Sequence, residues 1–264
     1  MEHQTILLAF LLTLFAGLST GIGSLIAFMA KRTNTNFLSL ALGLSAGVMI
    51  YVSFMEMMPL SVESFTAHYG EKVGMLYLIF GFFGGIALIA LIDFLVPESS
   101  NPHEMHRVEE MRGNSRLKQT GIIAAITIAI HNFPEGIATF MSALTTLEVA
   151  IPITAAIAIH NIPEGIAVAV PIYHATGSKK KAFWLSFASG LAEPVGALIA
   201  YLFLMPFWSP VLNAFVLAAV SGVMIYISLD ELLPSAEKYG KHHLSIIGLV
   251  AGMGIMAVSL FLFI

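Results

Sequence analysis

The sequence predicts an all-α polytopic membrane protein with eight transmembrane helices, a single domain over residues 1–264 and both termini outside. Three observations carry this. Hydrophobic residues make up 58% of the chain and charged residues only 11%, with a mean hydropathy of +0.88, whereas a soluble domain carries about 25% charged residues. Eight apolar stretches each reach the roughly 20 residues that a helix needs to cross the hydrocarbon core. The basic residues fall almost entirely on one face of the arrangement those stretches define.

The expected spans are residues 5–29, 37–60, 74–95, 120–144, 149–171, 181–204, 210–233 and 244–264. Span 1 is too long for a cleavable signal peptide, lacks a basic leader and is followed by Lys31 and Arg32. Eight spans place Lys31, Arg32, Arg107, Arg112, Arg116, Lys118, Lys179, Lys180, Lys181, Lys238 and Lys241 on one face, eleven of the twelve basic residues. Lys72 alone lies on the other. The positive-inside rule makes the basic face cytoplasmic. The polar cytoplasmic loop of about 96–119 contains His103 and His106. It reads either as a solvated linker or as a weak metal-holding loop. The absence of cysteine excludes disulfides and thiolate ligands.

Spans 4 and 5 each contain His-Asn-x-Pro-Glu-Gly: His131 to Gly136, and His160 to Gly165, 29 residues later. Spans 2 and 7 also match. Residues 45–59 and 220–234 share eight of fifteen positions at an offset of 175, including Met49/Met224, Ser53/Ser228, Glu56/Glu231 and Pro59/Pro234. Spans 1 and 6 match more faintly, through 23–27 and 196–200. Matching spans enter the membrane from opposite sides. The pattern is therefore an inverted repeat, spans 1–3 against 6–8 with spans 4 and 5 at the pseudo-axis. This is the plan of transporters that bind substrate at the repeat interface.

Chemistry in the spans is nearly all acid or imidazole: Glu56, His131, Glu135, His160, Glu164, Glu193, Asp230 and Glu231, with Asp93 near a span end. No Lys or Arg lies at that depth to neutralise the acids, and an unpaired buried carboxylate must take up a proton or a cation. His131 and Glu135 lie one turn apart on one helix face, as do His160 and Glu164. Pro134 and Pro163 free the carbonyls of Ile130 and Ile159. The two faces together offer four nitrogen and oxygen ligands suited to Zn²⁺, and Asn132, Asn161 and Glu193 can hold a second ion. A satisfied interhelical hydrogen-bond network is the alternative for any single copy. Glu56, Asp230 and Glu231 read as entrance and exit relays or as acids at the water interface. Met49 reads as a soft ligand or as packing. Gly81, Gly84, Gly85, Gly252 and Gly254 permit a homodimer through spans 3 and 8.

The doubled motif, the eight spans and the loop after span 3 together resemble the ZIP (Zrt/Irt-like) family of metal transporters over essentially the whole chain. The resemblance implies a bacterial inner-membrane protein that imports Zn²⁺, with Fe²⁺, Mn²⁺, Co²⁺ and Cd²⁺ as further cargo. It implies no enzyme activity, no cofactor and no nucleic-acid partner; divalent ions and the lipid bilayer are the partners. It implies a primary site of His131, Glu135, His160 and Glu164, and a second of Asn132, Glu135, Asn161, Glu164 and Glu193, with Met49 and Glu56 along the path. An exporter using the same site and an intramembrane metallohydrolase are the other readings. The zinc-protease string His-Glu-x-x-His does not occur.

Overall fold

The structure, a computed structural model, describes residues 3–29, 35–95, 114–239 and 242–262. Lys31, Arg32, Lys241, His103, His106 and the loop from 96 to 113 lie outside them. Every regular element among the described residues is helical, and no β-strand occurs there. Seven helices among them are long and apolar enough to cross a membrane. The fourth expected span corresponds to the 30-residue α5 (Asn114–Ala143), which begins ahead of the expected start at 120. The chain is a multi-pass membrane protein.

Span 1 is α1 (His3–Met29). Span 2 continues past its expected end at 60: α2 (Thr35–Val52), a π-helical segment Ser53–Met57 and α3 (Met58–Tyr69) run as one rod. α4 (Glu71–Leu95) follows after Gly70, whose φ of 77° allows the sharp reversal. α6 (Leu147–Thr176) starts with Thr146 capping the amide of Val149 and stops at the left-handed Gly177. Span 7 is α9 (Pro210–Ile227), a second π segment Ser228–Leu232 and α10 (Leu233–Tyr239). Span 8 is α11 (His242–Leu262).

The π segments of spans 2 and 7 precede a proline, Pro59 or Pro234, and a third π segment, Ala200–Leu204, lies in span 6. Proline has no amide hydrogen to continue an α ladder. The amides of Met58 and Leu233 instead reach five residues back, to the carbonyls of Ser53 and Ser228.

Span 6 departs from a single helix. α7 (Lys179–Gly190) and α8 (Ala192–Ile199) are separated at Leu191. Pro194 cannot donate to the carbonyl of Gly190, and the ladder opens one residue into that gap. Glu193 consequently lies in the first turn of a new helix.

The helices pack as two groups: α1, α5, α6, α7 and α8 in one, α2, α3, α4, α9, α10 and α11 in the other. Within each group backbones touch at glycine. A Cβ on Gly23 or Gly165 would collide with the carbonyls of Ile162 or Thr20, joining α1 to α6. One on Gly196 or Gly136 would collide with those of Phe133 or Glu193, joining α8 to α5. Small residues are what allow such approach where no hydrophobic gain is available. The groups meet mainly where α2 faces α6 and α5 faces α9. That seam is lined by larger side chains such as Met49, Ile153, Ile157, Leu217 and Met224. Phe83, Phe94 and Phe261 project outward from α4 and α11.

Gly81, Gly85 and Gly252 are spent inside the chain, against α9 and α2, while Gly84 and Gly254 face open space.

Candidate metal site

The two motifs lie side by side on α5 and α6, and α8 brings Glu193 to them. Gly136 makes this possible, because α8 presses its backbone at Glu193 directly onto α5. His131, Asn132, Glu135, His160, Asn161, Glu164 and Glu193 are each at most 4% exposed.

His160 is fixed at both ring nitrogens. Its Nδ1 lies 3.0 Å from the carbonyl of Ala156 and its Nε2 3.2 Å from Glu135 Oε2. Nδ1–H donating to the carbonyl would leave Nε2 as the nitrogen free to ligate. Ser45 on α2 donates to the His160 carbonyl at 3.3 Å, across the seam. Asn161 donates to the Ala16 carbonyl at 2.9 Å and to Glu193 Oε1. The Asn132 carboxamide satisfies its neighbours in the orientation whose nitrogen donates to Glu164 Oε2 at 3.3 Å and to the Ile128 carbonyl at 3.1 Å.

The second half of the donor set is unspent. Glu135 Oε1, Asn161 Oδ1 and Glu193 Oε2 are buried and accept no hydrogen bond. Leaving such an atom unmet costs about 1–3 kcal/mol. The three come one each from α5, α6 and α8.

His131 faces the seam. Its Nδ1 crosses the seam to Glu231 Oε2 at 3.1 Å, on the π segment of span 7. Among the described residues no three His, Asp or Glu side chains gather into a group able to hold an ion. Of the four ligands expected from helix geometry, His131 thus pairs with Glu231, His160 with Glu135, and Glu164 with Asn132. Glu231 is half-buried and Asp230 beside it exposed, as are their span 2 counterparts Glu56 and Met55. Met49 is fully buried in the seam, and Ser53 donates to the sulfur of its repeat partner Met224 at 3.8 Å. Sequence reasoning passed over Ser45 and Met224. Met224 was legible as the repeat partner of Met49, whereas nothing in the local sequence marks Ser45.

A family model described as ZIP Zinc transporter matches residues 95–260. The chain is 56% identical to the zinc transporter ZupT of Clostridium perfringens, over 99% of this chain and 98% of that one. The chain belongs to the ZIP family. The ZupT zinc transporters of Streptococcus mutans and Nitratidesulfovibrio vulgaris are 58% and 55% identical, covering 99% and 100% of this chain and 99% of each relative. As a ZIP protein it is a transporter of divalent metal, zinc included, and not an enzyme. The metal is its cargo rather than a cofactor.

Proposed function

We propose that this ZIP protein imports Zn²⁺ through the buried centre of α5, α6 and α8, and carries Fe²⁺, Mn²⁺, Co²⁺ and Cd²⁺ by the same route. The unmet oxygens of Glu135, Asn161 and Glu193 are the observation that carries the reading. A divalent ion there takes oxygen ligands from three helices, and imidazole from His160 once its Nε2 turns from Glu135. Asn132 and Glu164 complete the set, and His131 and Glu231 with Asp230 form the next step along the path. Glu56 and Met49 serve the other side. Nitrogen and oxygen ligands without sulfur discriminate weakly among first-row divalent ions.

The basic loops set the orientation of the chain, and the family resemblance favours import. With that face cytoplasmic, both termini lie outside a bacterial inner membrane, and Glu231 lies toward the cytoplasm. The matched spans act as an inverted repeat, and one helix group slides against the other to alternate access. The apolar perimeter of α4 and α11 faces lipid, and Gly84 and Gly254 remain open for a second copy.

The deciding experiment is metal uptake into liposomes holding purified protein and an internal fluorescent zinc reporter. Flux that disappears in Glu135→Ala and Glu164→Ala is expected. Absent flux, or flux indifferent to both substitutions, overturns the site. Protein inserted in one orientation, with zinc offered on either side, separates import from export.

A further inference from the structure

We propose that Glu56 is the opposite-side counterpart of Glu231, and that in the alternative arrangement of the two helix groups His160 leaves Glu135 and pairs with Glu56, as His131 pairs with Glu231 here. The inference rests on the transport reading above and adds to it a named contact.

The two halves agree in detail. The π segments Ser53–Met57 and Ser228–Leu232 coincide at the offset of 175 that relates the sequences. Phe54, Met55, Glu56 and Met57 run exposed, exposed, half-buried, buried, and so do Leu229, Asp230, Glu231 and Leu232. Backbone contacts correspond as well. Gly23 on Ile162 matches Gly196 on Phe133, and Gly165 on Thr20 matches Gly136 on Glu193. In the other group, Gly47 on Leu249 matches Gly222 on Phe82, and Gly252 on Leu44 matches Gly85 on Ala219. Each group is thus built twice to one plan.

The correspondence fails between the groups. His131 reaches Glu231 at 3.1 Å, but its counterpart His160 stays with Glu135 at 3.2 Å. Glu56 instead lines a cavity of about 340 Å³ with Tyr51, Glu148 and Pro152. Pro152 precedes His160 by eight residues, or about 12 Å of helix. Moving α2 along α6 by that distance, toward the end where α6 finishes, brings Glu56 level with His160. The same displacement carries Glu231 down α5 from His131 to the level of residue 123, which is the repeat position of Pro152. One sliding step therefore exchanges the two contacts. The same pair at both, a motif histidine and a glutamate on a π segment, makes the arrangements close in energy, as an alternating transporter requires. In each, one motif histidine remains with the central carboxylates and the other meets an acid on a π segment.

The chain has no cysteine, so paired thiols report contact without background. Full-length Glu56→Cys/His160→Cys and Glu231→Cys/His131→Cys proteins in lipid would be treated with Hg²⁺ and then with a mass-shifting maleimide. Both pairs should lose labelling through a thiol–mercury–thiol bridge, while each single-cysteine variant loses none of its shift after a monothiol wash. In the four-cysteine protein, one bridged pair should leave the other pair reactive. Bridging of the Glu231/His131 pair alone, in protein of native size and melting behaviour, overturns the inference, as does simultaneous bridging of both pairs. Liposome uptake by the unmodified chain is scored separately. Uptake without the Glu56/His160 bridge refutes the exchange and leaves transport standing; no uptake refutes transport itself.

Discussion

The two copies of the motif are nearly the same in sequence and unlike in their company. The copy on α6 is turned inward: His160 is held by Ala156 and Glu135, and Asn161 by Ala16 and Glu193. The copy on α5 is divided: Glu135 and Asn132 face the centre, while His131 crosses to the other helix group. Backbone packing around the copies is nevertheless matched, since Gly136 and Gly165 each accept a carbonyl that leaves no room for a Cβ. Within a group, side-chain length is minimal and backbones interlock. Between groups, the contacts are longer apolar side chains and a few polar reaches. The symmetry of contacts is kept within each group and broken between the groups.

The largest expected effect tests whether the centre is shared. Glu135→Ala and Glu164→Ala should each lower zinc uptake by about 100-fold or more, as loss of a ligating group does. Equal losses fit a common centre; a loss confined to one copy divides them. Gly136→Ala and Gly165→Ala test the rigid part. Each should destabilise the protein by about 1–3 kcal/mol through overpacking, read as a lower unfolding midpoint in detergent. A neutral Gly165→Ala would show that α1 can move off α6.

The histidines should separate the copies. In metal-free protein, His160→Ala strips Glu135 of its partner in a fully buried place, which costs about 1–3 kcal/mol. His131→Ala releases Glu231, which is partly open to water, and should cost less than about 1 kcal/mol. Equal midpoints for the two variants would erase the distinction. An effect of similar size belongs to the far end of the seam, where Asn213 donates to Thr145 at 3.3 Å. Thr145→Val should cost about 0.5–1.5 kcal/mol, the net worth of one hydrogen bond, by the same melting assay.

Much of the architecture and of the centre is legible in the amino-acid sequence. Spans announce themselves because lipid tolerates little else than apolar helix, and the doubled motif picks out the side chains of α5 and α6 that the fold buries together. The rest depends on what one helix does to another. Leu191 breaks span 6 because Pro194 deprives Gly190 of a donor, a local cause the sequence contains. Its effect, Glu193 pressed onto α5, needs the contact with Gly136. Whether His131 faces Glu164 or Glu231 is a choice between two tertiary partners, and helix periodicity is silent on it. Ser45 acts on a backbone carbonyl of another span, which no motif records. The five small residues of spans 3 and 8 look alike in sequence; only packing separates Gly81, Gly85 and Gly252 from Gly84 and Gly254.

The π segments have a consequence for chain length. A turn bonded five residues apart stores one residue more than the α ladder on either side requires. Removing one residue from Ser53–Met57 lets the ladder close while the flanks keep their helical phase. Removing one elsewhere in α2 rotates everything beyond by about 100° and takes Gly47 off Leu249 or Glu56 off its cavity. Spans 2 and 7 thus carry their slack at one place each, at Glu56 and at Glu231.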